Sequence, residues 1–206
     1  MFDAARAAGL PMLGGVDIFV PSAGGVVRAH YWPAGRPLLN PHDEPHKATK
    51  LRSKSKKTDA ATIVILPGFN EFCEKYSPAV LRLHQSGHSV LVLDWPGQGL
   101  SGHYGKDPLA VHCDDFSIYL NALDAVIEAA GLCQERLFLF GHSMGGHMAL
   151  RYAAWRPSHS LGVVLSAPMM APPVMPVWLI RGFSSFLIGM GPVSYTHLTL
   201  PTTTIV

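Results

Sequence analysis

Cysteine is scarce in this chain of 206 residues, with Cys73, Cys113 and Cys133 the only three. An odd number at wide, unpatterned spacings argues against a disulfide framework or a zinc-binding set and for a reduced compartment. Charge is sparse as well. Asp, Glu, Lys and Arg make up 15% of the residues and the net charge is +2, so no strong field for nucleic acid is expected. Six of the 16 basic residues fall between Lys47 and Lys57, where apolar periodicity is missing, and that stretch reads as a solvated loop. Long apolar runs are also missing. The segment between Arg156 and Arg181 carries no charge, but five prolines make it a poor membrane-spanning helix. The N-terminal MFDAARAAGLPM has neither the basic start nor the long apolar stretch of a secretion signal, so a cytoplasmic chain is expected.

What is present suits one domain with a sizeable core, since 48% of the residues are hydrophobic. Val16 to Val20 and Val26 to Trp32, separated by Pro-Ser-Ala-Gly-Gly, read as a hairpin at a sheet edge. Pro33 to Asp59, rich in Pro, His and Lys, reads as a surface connection. Thr62 to Leu66 and Ser89 to Leu93 are short apolar runs, as strands covered on both faces require. Between them Tyr76, Val80, Leu81 and Leu83 fall at helical spacing before Gly87. Asp115 can cap a helix whose apolar face runs from Phe116 to Ile127 and which ends near Gly131. Two more strands follow, Leu137 to Phe140 and Gly162 to Ala167. Four buried strands alternating with helices predict a doubly wound, mostly parallel sheet with its ligand site beyond the C-terminal strand ends.

At one such end lies Gly141-His142-Ser143-Met144-Gly145, between an apolar strand and residues able to form a helix. A serine on a strand-to-helix turn is held in a strained conformation, and the flanking glycines let strand and helix approach closely. Ser143 is therefore the candidate nucleophile. Its hydroxyl needs a base to take its proton, and attack on an ester creates an oxyanion that backbone N–H groups must meet. The Met144 N–H, at the start of the helix, is one such donor. Several neighbours have plainer readings. Gly97 and Gly99 could merely shape a turn, and Cys73 suits a buried small hydrophobe better than a reactive thiol. His142 and His147 read as packing residues rather than the base.

Leu66-Pro67-Gly68-Phe69-Asn70-Glu71, Asp94-Trp95-Pro96-Gly97-Gln98-Gly99-Leu100-Ser101-Gly102 and the serine turn follow three strands in order. Together they resemble the α/β-hydrolase superfamily, in particular its lysophospholipase and monoacylglycerol lipase branch, over roughly Val16 to Met170. The resemblance implies an α/β-hydrolase fold, incomplete at its C-terminal side, and a serine ester hydrolase acting on lysophospholipids or monoacylglycerols. It puts the Phe69 N–H beside that of Met144 in the oxyanion hole, with Gly68, Gly141, His142, Gly145, Asp94, Gly97 and Gly99 supporting the elbow and its loops. Glu71 matches an acidic position for which a structural hydrogen bond is expected. No metal or organic cofactor is required. The implied partner is a small lipid ester, with peripheral contact at the inner membrane face and no nucleic acid.

What the chain lacks limits this reading. In this fold the triad runs Ser, then Asp or Glu, then His. The last acidic residue here is Glu135, and only His147, His159 and His197 follow Ser143. The expected organisation is therefore the N-terminal part of a hydrolase core over 1–168, the start of a cap over 169–192, and a non-native tail over 193–206. Leu179, Phe183, Phe186 and Leu187 share one helical face in the cap segment. Val193-Ser-Tyr-Thr-His-Leu is what one frame of a transposon mosaic end used in sequencing-library preparation encodes. The chain by itself is expected to be inactive. The alternatives are a non-catalytic hydrolase-like binding protein, or an acyltransferase or non-lipid esterase on the same fold.

Overall fold

A computed structural model describes residues 14–22, 25–35, 60–102 and 115–170. The basic stretch 47–57, Cys113, the expected cap beyond Met170 and the expected tail with His197 lie outside these residues.

The chain opens with a hairpin in which β1 (Val16–Ser22) pairs antiparallel with β2 (Gly25–Trp32), from Val16 opposite Tyr31 to Ser22 opposite Gly25. Strands and helices then alternate: β3 (Thr62–Leu66), a 3-10 turn (Cys73–Tyr76) leading into α1 (Ser77–Gln85), β4 (Ser89–Leu93) and α2 (Ser117–Ala129). The serine region follows as β5 (Leu137–His142), α3 (Met144–Trp155) and β6 (Ser160–Ser166). The six strands lie in the order β1-β2-β4-β3-β5-β6. Pairing is parallel from β4 through β3 and β5 to β6, and antiparallel where β2 meets β4. This is the mostly parallel sheet expected from the alternation, with the hairpin on its edge.

Both faces of the central strands are covered, which is why they read as continuous apolar runs. With a period of two, Val64 and Leu66 of β3 face α2 and α3, packing with Leu123, Ile127, Met148 and Tyr152. Ile65 faces the other way, into a cluster with Trp32, Val80, Val90, Val92 and Cys73 on the α1 side. The sheet is thus doubly wound. Two helices end where glycine was expected to stop them. Gly87 and Gly131 have φ of 93° and 73°, and each C-terminus is closed by paired bonds, His88 N–H to the Leu83 carbonyl and Leu132 N–H to that of Ile127. Asp115 acts one residue earlier than a cap, its carboxylate accepting the Ser117 N–H while Phe116 holds the cap position.

One expectation needs correction. β6 begins at Ser160 and is not a wholly buried strand, because it borders the described sheet with β5 on one side only; Val164 is 52% exposed and Leu161 43%. The order of the inner strands fixes where a site can form. From β3 the chain moves one way, through α1 to β4, and α2 then carries it back past β3 to β5. The helices after β3 and β5 consequently lie on opposite faces of the sheet, and in open sheets of this kind ligands bind beyond the C-terminal strand ends at such a point.

Candidate active site

Ser143 stands at the end of β5 with φ 51° and ψ −117°, a backbone conformation sparsely populated by any residue with a Cβ. Its own main-chain groups hold it there. Ser143 N–H donates to the Ser166 carbonyl at 3.0 Å, and its carbonyl accepts N–H groups from Gly146 at 3.0 Å and Met169 at 2.9 Å. The end of β6 therefore wraps the turn from one side. On the other side the fit leaves no room for a side chain: a Cβ on Gly145 would stand 1.9 Å from the Leu66 carbonyl oxygen, and one on Gly141 would stand 2.5 Å from the Gly145 carbonyl oxygen. Met144 is the first residue of α3, where N–H groups have no intrahelical acceptor and the helix dipole favours negative charge.

The loop after β3 is pressed against this turn and clamped by side chains. Glu71 Oε2 accepts the Gly68 N–H at 2.7 Å and the Tyr76 hydroxyl at 2.5 Å, while Oε1 pairs with Lys75 Nζ at 2.6 Å. Burial pushes the Glu71 carboxyl up, but Lys75, Tyr76 and the Gly68 N–H outweigh it and hold it below the ordinary carboxylate range. Trp95 Nε1 donates to the Pro67 carbonyl at 2.8 Å. Gly68 lies against His142, whose Cδ2 would be 3.3 Å from a Cβ added there. Among the described residues the Phe69 N–H has no acceptor, and its side chain is 55% exposed.

The loop after β4 folds around Asp94, which is fully buried. Its carboxylate accepts N–H groups from Cys73 at 2.7 Å and Leu100 at 2.9 Å and meets Arg28 Nη1 at 3.3 Å. Burial pushes the Asp94 carboxyl up, opposed by these N–H groups and by Arg28. Gly99, at φ 56°, must lack a side chain, since a Cβ would fall 2.3 Å from Asp94 Cγ. Gly97, at φ 80°, donates its N–H to the Gly102 carbonyl and closes the turn. Cys73 is fully buried and burial raises its thiol well above the ordinary range, which makes it an inert core residue.

His142 Nδ1 lies 3.1 Å from the Ser166 carbonyl, and the His147 ring packs edge-on to Phe116. Among the described residues neither histidine bonds the Ser143 hydroxyl, and no acid follows the serine in the chain. Among the described residues no group of His, Cys, Asp or Glu is arranged to hold a metal ion. Sequence reasoning missed four contributors. Ser166 and Met169 brace the turn, Arg28 bridges Asp94 to Glu74 at 2.7 Å, and Gln98 bonds the β3 loop. Arg28 sits in a hairpin strand 66 residues from Asp94, so no local pattern announces the pair.

Three strand-end loops thus pack together, with a strained serine, a helix N-terminus and a clamped loop. Among known proteins, phospholipase YtpA of Bacillus subtilis is 32% identical over 111 residues, covering 53% of this chain and 41% of that protein. Lysophospholipase L2 of Escherichia coli K12 is 33% identical over 110 residues, covering 52% of this chain and 32% of that protein. The chain therefore spans less than half the length of these curated relatives. The crystal structure of the Paleococcus ferrophilus monoacylglycerol lipase superposes with a TM-score of 0.51 at 31% identity, covering 61% of this chain and 46% of that one. The Hydrolase_4 family, described as serine aminopeptidase, S33, matches residues 57–201, and the chain belongs to this family of α/β-hydrolases.

Proposed function

We propose that this protein is a serine ester hydrolase acting on lysophospholipids or monoacylglycerols. The observation that carries the reading is the backbone of Ser143, at φ 51° and ψ −117° between β5 and the N-terminus of α3. Strain of this kind costs about 1–3 kcal/mol and persists only where the surroundings enforce it. On this reading the turn presents the Ser143 hydroxyl to the N–H groups of Phe69 and Met144, neither of which meets an acceptor among the described residues.

Ser143 Oγ attacks the ester carbonyl carbon and gives its proton to a base. The carbonyl oxygen becomes an oxyanion held by the N–H groups of Phe69 and Met144, each worth about 2.7–4 kcal/mol in the transition state. Collapse expels the alcohol and leaves an acyl-serine, which water then cleaves by the same steps. No step calls for a metal or an organic cofactor. Phe69 and Met170, 55% and 67% exposed, give an apolar character to the strand-end loops that suits an acyl chain. Relatives whose names specify phospholipase, lysophospholipase and monoacylglycerol lipase favour the same substrate class.

Glu135 is the last acid in the chain, so an acid following the serine has to come from outside these 206 residues, and the same is inferred for the base. Loss of triad members costs on the order of 10⁴ to 10⁶ in turnover, and the 206-residue chain alone is expected to be silent. The missing acid also favours a second reading, a non-catalytic binding protein that keeps the elbow. One assay separates the two. The full-length gene product is expected to release fatty acid from a monoacylglycerol or a lysophospholipid, and Ser143→Ala is expected to reduce this by at least about 10⁴-fold. Binding without turnover in the full-length protein would favour the second reading.

A further inference from the structure

We propose that Gln98 is a positioning residue for the amide of Phe69; the inference rests on the ester-hydrolase reading above. Gln98 comes from the loop after β4, far in sequence from Phe69, and is only 3% exposed. Its main chain is fixed by two turn bonds, its N–H to the Trp95 carbonyl at 2.9 Å and its carbonyl from the Ser101 N–H at 3.0 Å. From this rigid base its side-chain Oε1 accepts the Asn70 N–H at 2.5 Å.

The importance of that bond follows from which peptide planes are held. The plane joining Pro67 and Gly68 is fixed at both polar groups, its carbonyl by Trp95 Nε1 and its N–H by Glu71 Oε2. The plane joining Phe69 and Asn70 is fixed by Gln98 through the Asn70 N–H. Between them lies the plane joining Gly68 and Phe69, and its N–H is the proposed oxyanion donor. With one neighbouring plane clamped by Trp95 and Glu71 and the other by Gln98, the middle one has little freedom to turn. Asn70 itself sits at φ 64°, a left-handed conformation that Asn adopts more readily than most residues with a Cβ, and the bond to Gln98 fixes its N–H in that turn. The same amide shows that Gln98 is not simply filling space. Its Nε2 is buried with no partner among the described residues, a cost that an apolar side chain of similar length would avoid.

The test measures steady-state hydrolysis of a p-nitrophenyl ester by the full-length protein as wild type, Ser143→Ala and Gln98→Met. Methionine keeps the length of the side chain and removes the acceptor. With Ser143→Ala silent, Gln98→Met is expected to lower kcat by about 10- to 100-fold, less than the loss of a whole donor, with KM changed by less than about twofold. Unchanged kcat, or a loss carried by KM, overturns the proposal. If wild type shows no Ser143-dependent turnover, the ester-hydrolase reading fails, and amide hydrogen exchange on the wild-type chain tests Gln98 separately. Exchange also decides the matter if Gln98→Met does not fold. Slow exchange at Asn70 beside fast exchange at Phe69 supports the clamp, and fast exchange at Asn70 overturns it.

Discussion

Ser143 owes its conformation to its neighbours more than to itself. Its N–H is engaged by Ser166 at the end of β6 and its carbonyl by Met169 just beyond, and the 1.9 Å separation between a notional Gly145 Cβ and the Leu66 oxygen shows how tightly β3 closes on the turn. That oxygen is main chain at the end of a buried strand, so it cannot swing aside as a flexible side chain could. Gly145→Ala is therefore expected to destabilise the fold by about 3 kcal/mol, at the upper end of overpacking costs. Urea unfolding of both proteins checks this. A change below about 0.5 kcal/mol, the range of an ordinary surface substitution, would mean that the close approach is not sustained in solution.

At the scale of elements, the loop after β3 is kept in place by charge as well as by packing. The Glu71 carboxyl is held below the ordinary carboxylate range in the folded state, where it bonds Lys75, Tyr76 and the Gly68 N–H. A lowered folded pKa means that the unfolded chain binds the proton more readily. The stabilisation is then complete above the unfolded pKa and lost as pH falls through the folded one. Unfolding midpoints measured from neutral pH down to about pH 3 should fall more steeply for wild type than for Glu71→Gln. Parallel curves would show that Glu71 does not clamp the loop. This loop also marks the limit of what the residue order reveals. β3, β4 and β5 were legible because strands buried on both faces must be apolar throughout, and Gly87 and Gly131 because helix ends need a left-handed residue. The exposure of β6 is not written in its own residues, since SLGVVLS carries four apolar residues as β3 and β4 do; it follows from the fold being incomplete on its C-terminal side, which leaves β6 at the edge of the described sheet. Arg28, Gln98 and Met169 were hidden for another reason. Each acts through a contact made across the fold, which periodicity does not report.

For the molecule as a whole, one topological fact organises the rest. The chain leaves β3 in one direction and returns to its other side at β5, and the nucleophile turn and the clamped amide loop follow those two strands. The elbow motif predicted a strained serine from five residues, and the fold supplies what the motif alone cannot, namely the surfaces that press on it from β3 and β6. Family membership adds the hydrolase class; the lipid ester substrate and the role of Ser143 remain the proposal to be tested. A fluorophosphonate reacts with a serine only when a base has activated it and an oxyanion site receives its phosphoryl oxygen, so it reports both features at once. The decisive measurement is peptide mass spectrometry of the full-length protein after such labelling. The account predicts a single phosphonylated residue, Ser143, and no labelling of Ser143→Ala; an adduct on another serine, or labelling undiminished in that variant, would contradict it.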